Sequence, residues 1–252
     1  MNKLLAKIRV SILWIPYLLF LSYFKVAQMV WIVFMMLMIH ELGHLFVGYY
    51  LKIPLISLRI YPFGIFAEYE NLDYLPSKYE MYMAISGPLF QLFNFIILNI
   101  FYQYQMISLN QLDYYQLLNV QMAIFNLLPI YPLDGGRILR AICMHFFPFG
   151  KALNITYILS VIAFICSMCN MTSIWMWCFI IVYAFYVYKE YQMVLEKKLE
   201  FYFQRFQSKV VFKNKIHNHN DLYKDFHNII VHHNKRMTEK EWISRYFVKK
   251  SK

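Results

Sequence analysis

The chain has 252 residues, 60% of them hydrophobic and 20% aromatic but only 15% charged, with a mean hydropathy of +0.40. That composition excludes an ordinary soluble domain and a disordered chain, and reads as a polytopic membrane protein. The net charge of +11 is uneven, with 15 Lys and Arg against 7 acids from Lys189 onward and 10 against 7 before it; the basic excess suits a tail lying beside anionic headgroups, and with no nucleic-acid motif present no nucleic-acid partner is expected.

Residues 10–24 predict a short first span. The stretch after Lys3, Lys7 and Arg9 has the charge of a signal peptide, but it lacks a small-residue cleavage site and is followed by further spans, so it is expected to be retained. Residues 26–51 predict a second span, about 39 Å of helix between Lys25 and Lys52, in which Glu41 is the sole acid. Inside it lies His40-Glu41-Leu42-Gly43-His44. Residues four apart share a helix face, so the two imidazoles can chelate one ion, while Glu41, turned by about 100°, sits where it can take a proton from a metal-bound water. A chance HExxH is expected in roughly one such chain per hundred. Ionisable groups at membrane depth are costly and usually functional, which favours a metal site over a structural polar cluster.

Residues 53–79 break the pattern with Pro54, Pro62, Gly64 and Pro76. Ile60 to Phe66 is apolar but too short to cross and is expected to re-enter the membrane, and the alternation at Ala67-Glu68-Tyr69-Glu70 suits either a strand edge or an amphipathic loop. Residues 80–102 predict a third span in which Ser86-Gly87-Pro88 either kinks the helix or lets another helix approach closely. Residues 115–133 predict a fourth, ending in Pro129-Ile130-Tyr131-Pro132-Leu133-Asp134-Gly135-Gly136, where two prolines and two glycines are expected to unwind the backbone around Asp134. A shorter helix resumes at Arg137, and 152–170 and 173–188 are fifth and sixth spans. Basic residues collect in alternate loops, which puts both termini on the cytoplasmic side.

Zinc held by the two histidines needs a third protein ligand, leaving the fourth position for water. Asp134 is favoured; His145 is the alternative, and a helix-capping role for Asp134 is compatible with ligation. Asn126 suits a hydrogen bond either to a substrate backbone or to another helix. The cysteines Cys143, Cys166, Cys169 and Cys178 lie in apolar stretches, and Cys166-x-x-Cys169 reads as apolar filler rather than a redox pair.

Together, HELGH at 40–44 and Asn126-Leu127-Leu128-Pro129-Ile130-Tyr131-Pro132-Leu133-Asp134-Gly135-Gly136 resemble the site-2 protease family of intramembrane zinc metalloproteases (peptidase M50). The short first span, Pro62-Phe63-Gly64 and Ser86-Gly87-Pro88 bring it closest to the branch of the stage IV sporulation protein FB. The resemblance covers about residues 5–195. It implies one Zn²⁺ per chain on His40, His44 and Asp134, Glu41 as general base, and Asn126, Pro129 and Pro132 near the substrate. It further implies a membrane-associated protein substrate cleaved within or near the bilayer, as in pro-sigma-K processing during sporulation, regulatory membrane partners, and a forespore-surrounding membrane for that role. Two departures stand out: Ile65 follows Gly64 where the family commonly has a second glycine, and the text after Leu195 lacks the βαββα pattern of a cystathionine-β-synthase domain.

The expected fold is therefore an all-α membrane protein of six transmembrane helices, with a re-entrant loop between spans two and three. Its expected organisation is a protease domain at 1–190 and a basic cytoplasmic tail at 191–252, either a diverged regulatory domain or a plain amphipathic segment. The tail histidines 217, 219, 227, 232 and 233 are scattered and lack cysteine partners, so metal binding is not expected of them. The rival reading outside enzymes is a metal carrier or channel using His40, Glu41 and His44 for transit, which leaves the prolines and Asp134-Gly135-Gly136 unexplained. A prenyl-type membrane protease would need a downstream glutamate ligand, and spans five and six contain no acid.

Overall fold

The computed structural model describes residues 8–12, 27–61, 64–69, 72–168, 183–185, 187–207, 214–218, 221–232 and 235–250. The expected first span falls almost wholly outside these residues, as do most of the sixth, Pro62, Phe63, Cys169, Cys178, His219 and His233. The elements are β1 (Ile8–Val10), α1 (Ala27–Tyr50), β2 (Leu55–Tyr61), β3 (Gly64–Tyr69), α2 (Ser77–Gln103), α3 (Leu109–Asn126), α4 (Asp134–Phe146), α5 (Phe149–Met168), α6 (Val194–Gln207), β4 (Asn214–His217), β5 (His227–His232), β6 (Lys235–Thr238) and α7 (Glu239–Lys250). Among the described residues three helices are long and apolar enough to cross a membrane: Val30–Tyr50, Ser77–Gln103 and Phe149–Ser167.

The chain divides into two compact units. The first holds residues 1–72, 81–128 and 133–135. Its helices are inverted relative to those of a soluble protein. Leu89, Leu92, Phe93 and Ile96 of α2 are exposed, whereas Ser86, Gln91 and Asn94 of the same helix are buried. Apolar residues outside and polar residues inside is the arrangement a hydrocarbon solvent selects. A small apolar core of Ile32, Met36, Leu98, Ile107, Leu112 and Tyr115 joins α1, α2 and α3. A capping box starts α3: Gln111 N donates to Ser108 Oγ at 3.3 Å, and Ser108 N donates to Gln111 Oε1 at 2.9 Å.

An all-α fold is not what the chain adopts. In the first unit β1 pairs in parallel with β2, and β2 pairs antiparallel with β3 in the order β1-β2-β3. The stretch expected to re-enter the membrane is the tip of this hairpin, Ile60 facing Ile65 and Tyr61 facing Gly64. The alternation at 67–69 is thus a strand. β-branched and aromatic residues at Ile56, Ile60, Tyr61, Ile65 and Phe66 favour the extended backbone over a coil.

The second unit holds residues 73–80, 129–132 and 136–252. Here the expected tail is folded. Phe201, Tyr202, Leu222, Ile230, Trp242 and Ile243 are buried in one core with Met144, Phe149, Leu153 and Tyr157 of α4 and α5. A second sheet, β4-β5-β6, has β4 parallel to β5 and β5 antiparallel to β6. Its local pattern was hidden because the strands are only 4 to 6 residues long and carry Lys, His and Asn among the apolar positions.

Candidate metal centre

Three side chains of the first unit converge. His40 Nε2 and His44 Nε2 lie 3.1 Å apart, and Asp134 Oδ2 lies 3.1 Å from the former and 3.4 Å from the latter. All three residues are buried. The histidines occupy one face of α1 at i and i+4, as the helix repeat requires. A tetrahedral ion with bonds of about 2.0–2.1 Å separates its ligands by about 3.3 Å, so the triangle has the size of one face of a zinc coordination sphere. Among the described residues this is the one group of three or more metal-ligating side chains so gathered.

The outer surroundings fix the donor atoms. His44 Nδ1 donates to the Met83 carbonyl at 2.7 Å, which leaves its Nε2 lone pair for the ion. Ser86 Oγ stands 3.3 Å from the same nitrogen and donates to the Met83 carbonyl at 2.6 Å. Gly87 lets α2 approach: a Cβ there would stand 2.5 Å from His44 Nε2 and 2.6 Å from His40 Cε1. Close helix contact is therefore the role of Ser86-Gly87-Pro88, and α2 continues through Pro88. That backbone and serine contact escaped the sequence reading; glycine beside a polar small residue in a span was its only signal.

Asp134 is positioned differently from expectation. It is the first residue of α4, and the irregular backbone lies before it, at 127–133. A Cβ on Gly135 would collide with the carbonyls of Leu127 and Leu128, so this glycine permits a tight backbone crossing instead of an unwound ligand loop. A carboxylate at a helix N-terminus also benefits from the local dipole. Glu41 is half-buried beside His40 on α1. Asn126 is half-buried at the end of α3, and Pro129 and Pro132 are exposed in the following loop, with a cis bond at Tyr131-Pro132; none of the three takes part in the ligand triangle. His145 pairs with Asp225 at 3.0 Å in the second unit. Of the cysteines, Cys143 is a buried free thiol in that unit's core and Cys166 is exposed.

Residues 102–169 match the model of Peptidase family M50. A zinc metalloprotease of Methanocaldococcus jannaschii is 34% identical over 127 residues, 49% of this chain and 37% of that protein. Stage IV sporulation protein FB of Bacillus subtilis is 30% identical over 118 residues, 47% of this chain and 41% of that protein. The chain thus spans well under half the length of these curated relatives. A solved site-2 protease from Methanocaldococcus jannaschii is similar over 75% of this chain and 89% of its own, at 24% identity and a TM-score of 0.48. On the family match over residues 102–169 and the two curated relatives, the chain is similar to proteins of peptidase family M50 over about half of its length.

Proposed function

We propose that this chain is an intramembrane zinc metalloprotease that hydrolyses a peptide bond of a membrane-associated protein within or near the bilayer. The observation that carries the reading is the triangle of His40 Nε2, His44 Nε2 and Asp134 Oδ2, with edges of 3.1 to 3.4 Å, on buried side chains. Two imidazole nitrogens and a carboxylate oxygen held face to face away from water are a donor set that suits a cation between them. Bound there, one Zn²⁺ would supply a Lewis acid for the peptide carbonyl and lower the pKa of a water.

The chain's own groups supply the rest. Glu41, next to one ligand, accepts the proton of the attacking water and later returns it to the leaving amine. His44, held by Met83 and Ser86, keeps its Nε2 lone pair directed at the site. Asn126, Pro129 and Pro132 are proposed to bear on the substrate. The same reading includes six spans with both termini cytoplasmic, and residues 191–252 as the part that adjusts activity. One matched relative carries sporulation in its name; a pro-sigma-K-type substrate in the membrane around a forespore is the corresponding specific proposal.

Co-expression with a tagged pro-sigma-K-type membrane substrate, read by immunoblot, together with zinc analysis of the purified enzyme, tests this. Glu41→Gln is expected to keep zinc and to lower cleavage by at least ~10²–10⁴-fold, and Asp134→Ala to lose both. Undiminished cleavage by the Glu41→Gln enzyme overturns the protease reading. Zinc flux that depends on Glu41 would replace it with the carrier.

A further inference from the structure

The polar interior next to the ligand triangle contains more than the triangle uses. Gln91 and Asn94 of α2 are almost wholly buried, at 1% and 0% exposure. Both carboxamide atoms of Gln91, Oδ1 of Asn94 and Nδ1 of His40 are buried without a hydrogen-bond partner. These four atoms form a matched set. Gln91 Nε2 is a donor, Gln91 Oε1 and Asn94 Oδ1 are acceptors, and His40 Nδ1 is a donor in the tautomer that leaves the Nε2 lone pair facing Asp134. Unpaired polar atoms are rarely left at such depth, least of all in a helix whose outer face is solvated by hydrocarbon.

Their placement follows from the packing of α1 on α2, which run antiparallel. His44 meets Met83 and Ser86, His40 meets Gly87, and Asn94 Nδ2 lies 3.5 Å from the Met36 carbonyl. Gln91 is one turn beyond Gly87 on the same face, at the level between His40 and Met36. Helical side chains lean toward their own N-terminus. In an antiparallel pair the His40 ring and the Gln91 carboxamide therefore lean toward one another. The far end is anchored: Asn94 Nδ2 donates to Asn119 Oδ1 at 2.9 Å, and Asn119 Nδ2 donates to the Gln91 carbonyl at 3.0 Å.

We propose that Gln91 is the positioning residue of the metal centre. Its Oε1 accepts the proton on His40 Nδ1 through one ordered water, while its Nε2 reaches Asn94 Oδ1 in the same way. The proton on Nδ1 keeps the His40 Nε2 lone pair facing Asp134 Oδ2, the task that the Met83 carbonyl performs for His44. One histidine thus takes a backbone acceptor and the other a side-chain relay, Gln91 to Asn94 to Asn119. This inference rests on the metal-centre reading above.

The test is zinc affinity of the full-length protein in detergent, measured by competition with a chelating dye, without reference to proteolysis. Gln91→Met removes both polar atoms at similar length; Gln91→Glu keeps an acceptor for Nδ1. The Met variant is expected to bind zinc about 10–100-fold more weakly, and the Glu variant at least as tightly as the natural protein. Natural affinity in Gln91→Met overturns the proposal and leaves the metal centre standing, whereas a natural protein that binds no zinc overturns both. Should Gln91→Met fail to fold, the Glu variant decides by itself: a tenfold loss of zinc affinity in a folded Gln91→Glu protein overturns the relay.

Discussion

In the unit that holds His40, buried polar atoms face one another at ligand distances, nitrogen lone pairs beside a carboxylate oxygen. In the unit that holds Arg140, buried charges meet their opposites. Glu80 takes Arg140 Nε at 2.5 Å and has Lys224 Nζ at 3.5 Å, with all three residues nearly inaccessible, and Arg140 Nη1 donates to Tyr131 Oη at 3.1 Å. Arg205 Nε donates to Glu239 Oε1 at 2.7 Å, and the Asn228 backbone N–H donates to Oε2 of the same carboxylate at 2.9 Å. Both units bear the cost of taking polar groups out of water. One offsets it with its own side chains; the other gathers a triangle of donors at the spacing of metal ligands. The difference separates a structural use of buried charge from a chemical one.

The largest effect that would sharpen the contrast is in the self-paired unit. Arg140→Met leaves Glu80 with only the longer Lys224 contact and is expected to cost about 3–5 kcal/mol of stability, read by thermal or chemical unfolding of the detergent-solubilised protein. Zinc addition should not restore it. Next comes Gly87→Ala, whose methyl group meets both imidazoles. It is expected to lower zinc affinity by more than tenfold with an overpacking cost of about 1–3 kcal/mol, and chelator competition checks it; natural zinc binding there would break the comparison. The smallest is Tyr202→Phe. Burial, with the Asp221 carboxylate beside it, pushes the Tyr202 phenol well above its ordinary pKa, so it remains a donor to Asp221 Oδ1 at 2.6 Å. Removing that hydroxyl is expected to cost about 1 kcal/mol, visible as a small drop in melting temperature, with zinc binding unchanged.

The spacing of His40, Glu41 and His44 was legible because a helix repeats every 3.6 residues, so a local string specifies a local geometry. The second span and the third were legible because a membrane helix needs about 20 apolar residues in a row and nothing else. The hairpin at 55–69 was half legible: alternation at 67–69 suited a strand edge and a loop alike, and the parallel partner β1 lies about fifty positions before β2. Residues after 190 read as a tail because their core is borrowed. Phe201, Tyr202 and Trp242 are buried against Phe149 and Leu153, residues that lie dozens of positions earlier.

What the amino-acid order determined by itself was everything within one turn of helix or one apolar run: His40 and His44 on one helix face, Glu41 beside them and the membrane character of the chain. Tertiary structure decided the rest. It set Asp134 Oδ2 within 3.4 Å of both imidazoles from a position 90 residues after His44 and 94 after His40, gave His44 a backbone acceptor in Met83, and buried the Gln91 carboxamide in the interior of the same unit. A local repeat constrains neighbours along the chain, whereas these contacts depend on how closely α1 and α2 pack, and Gly87 sets that distance only once both helices are in place.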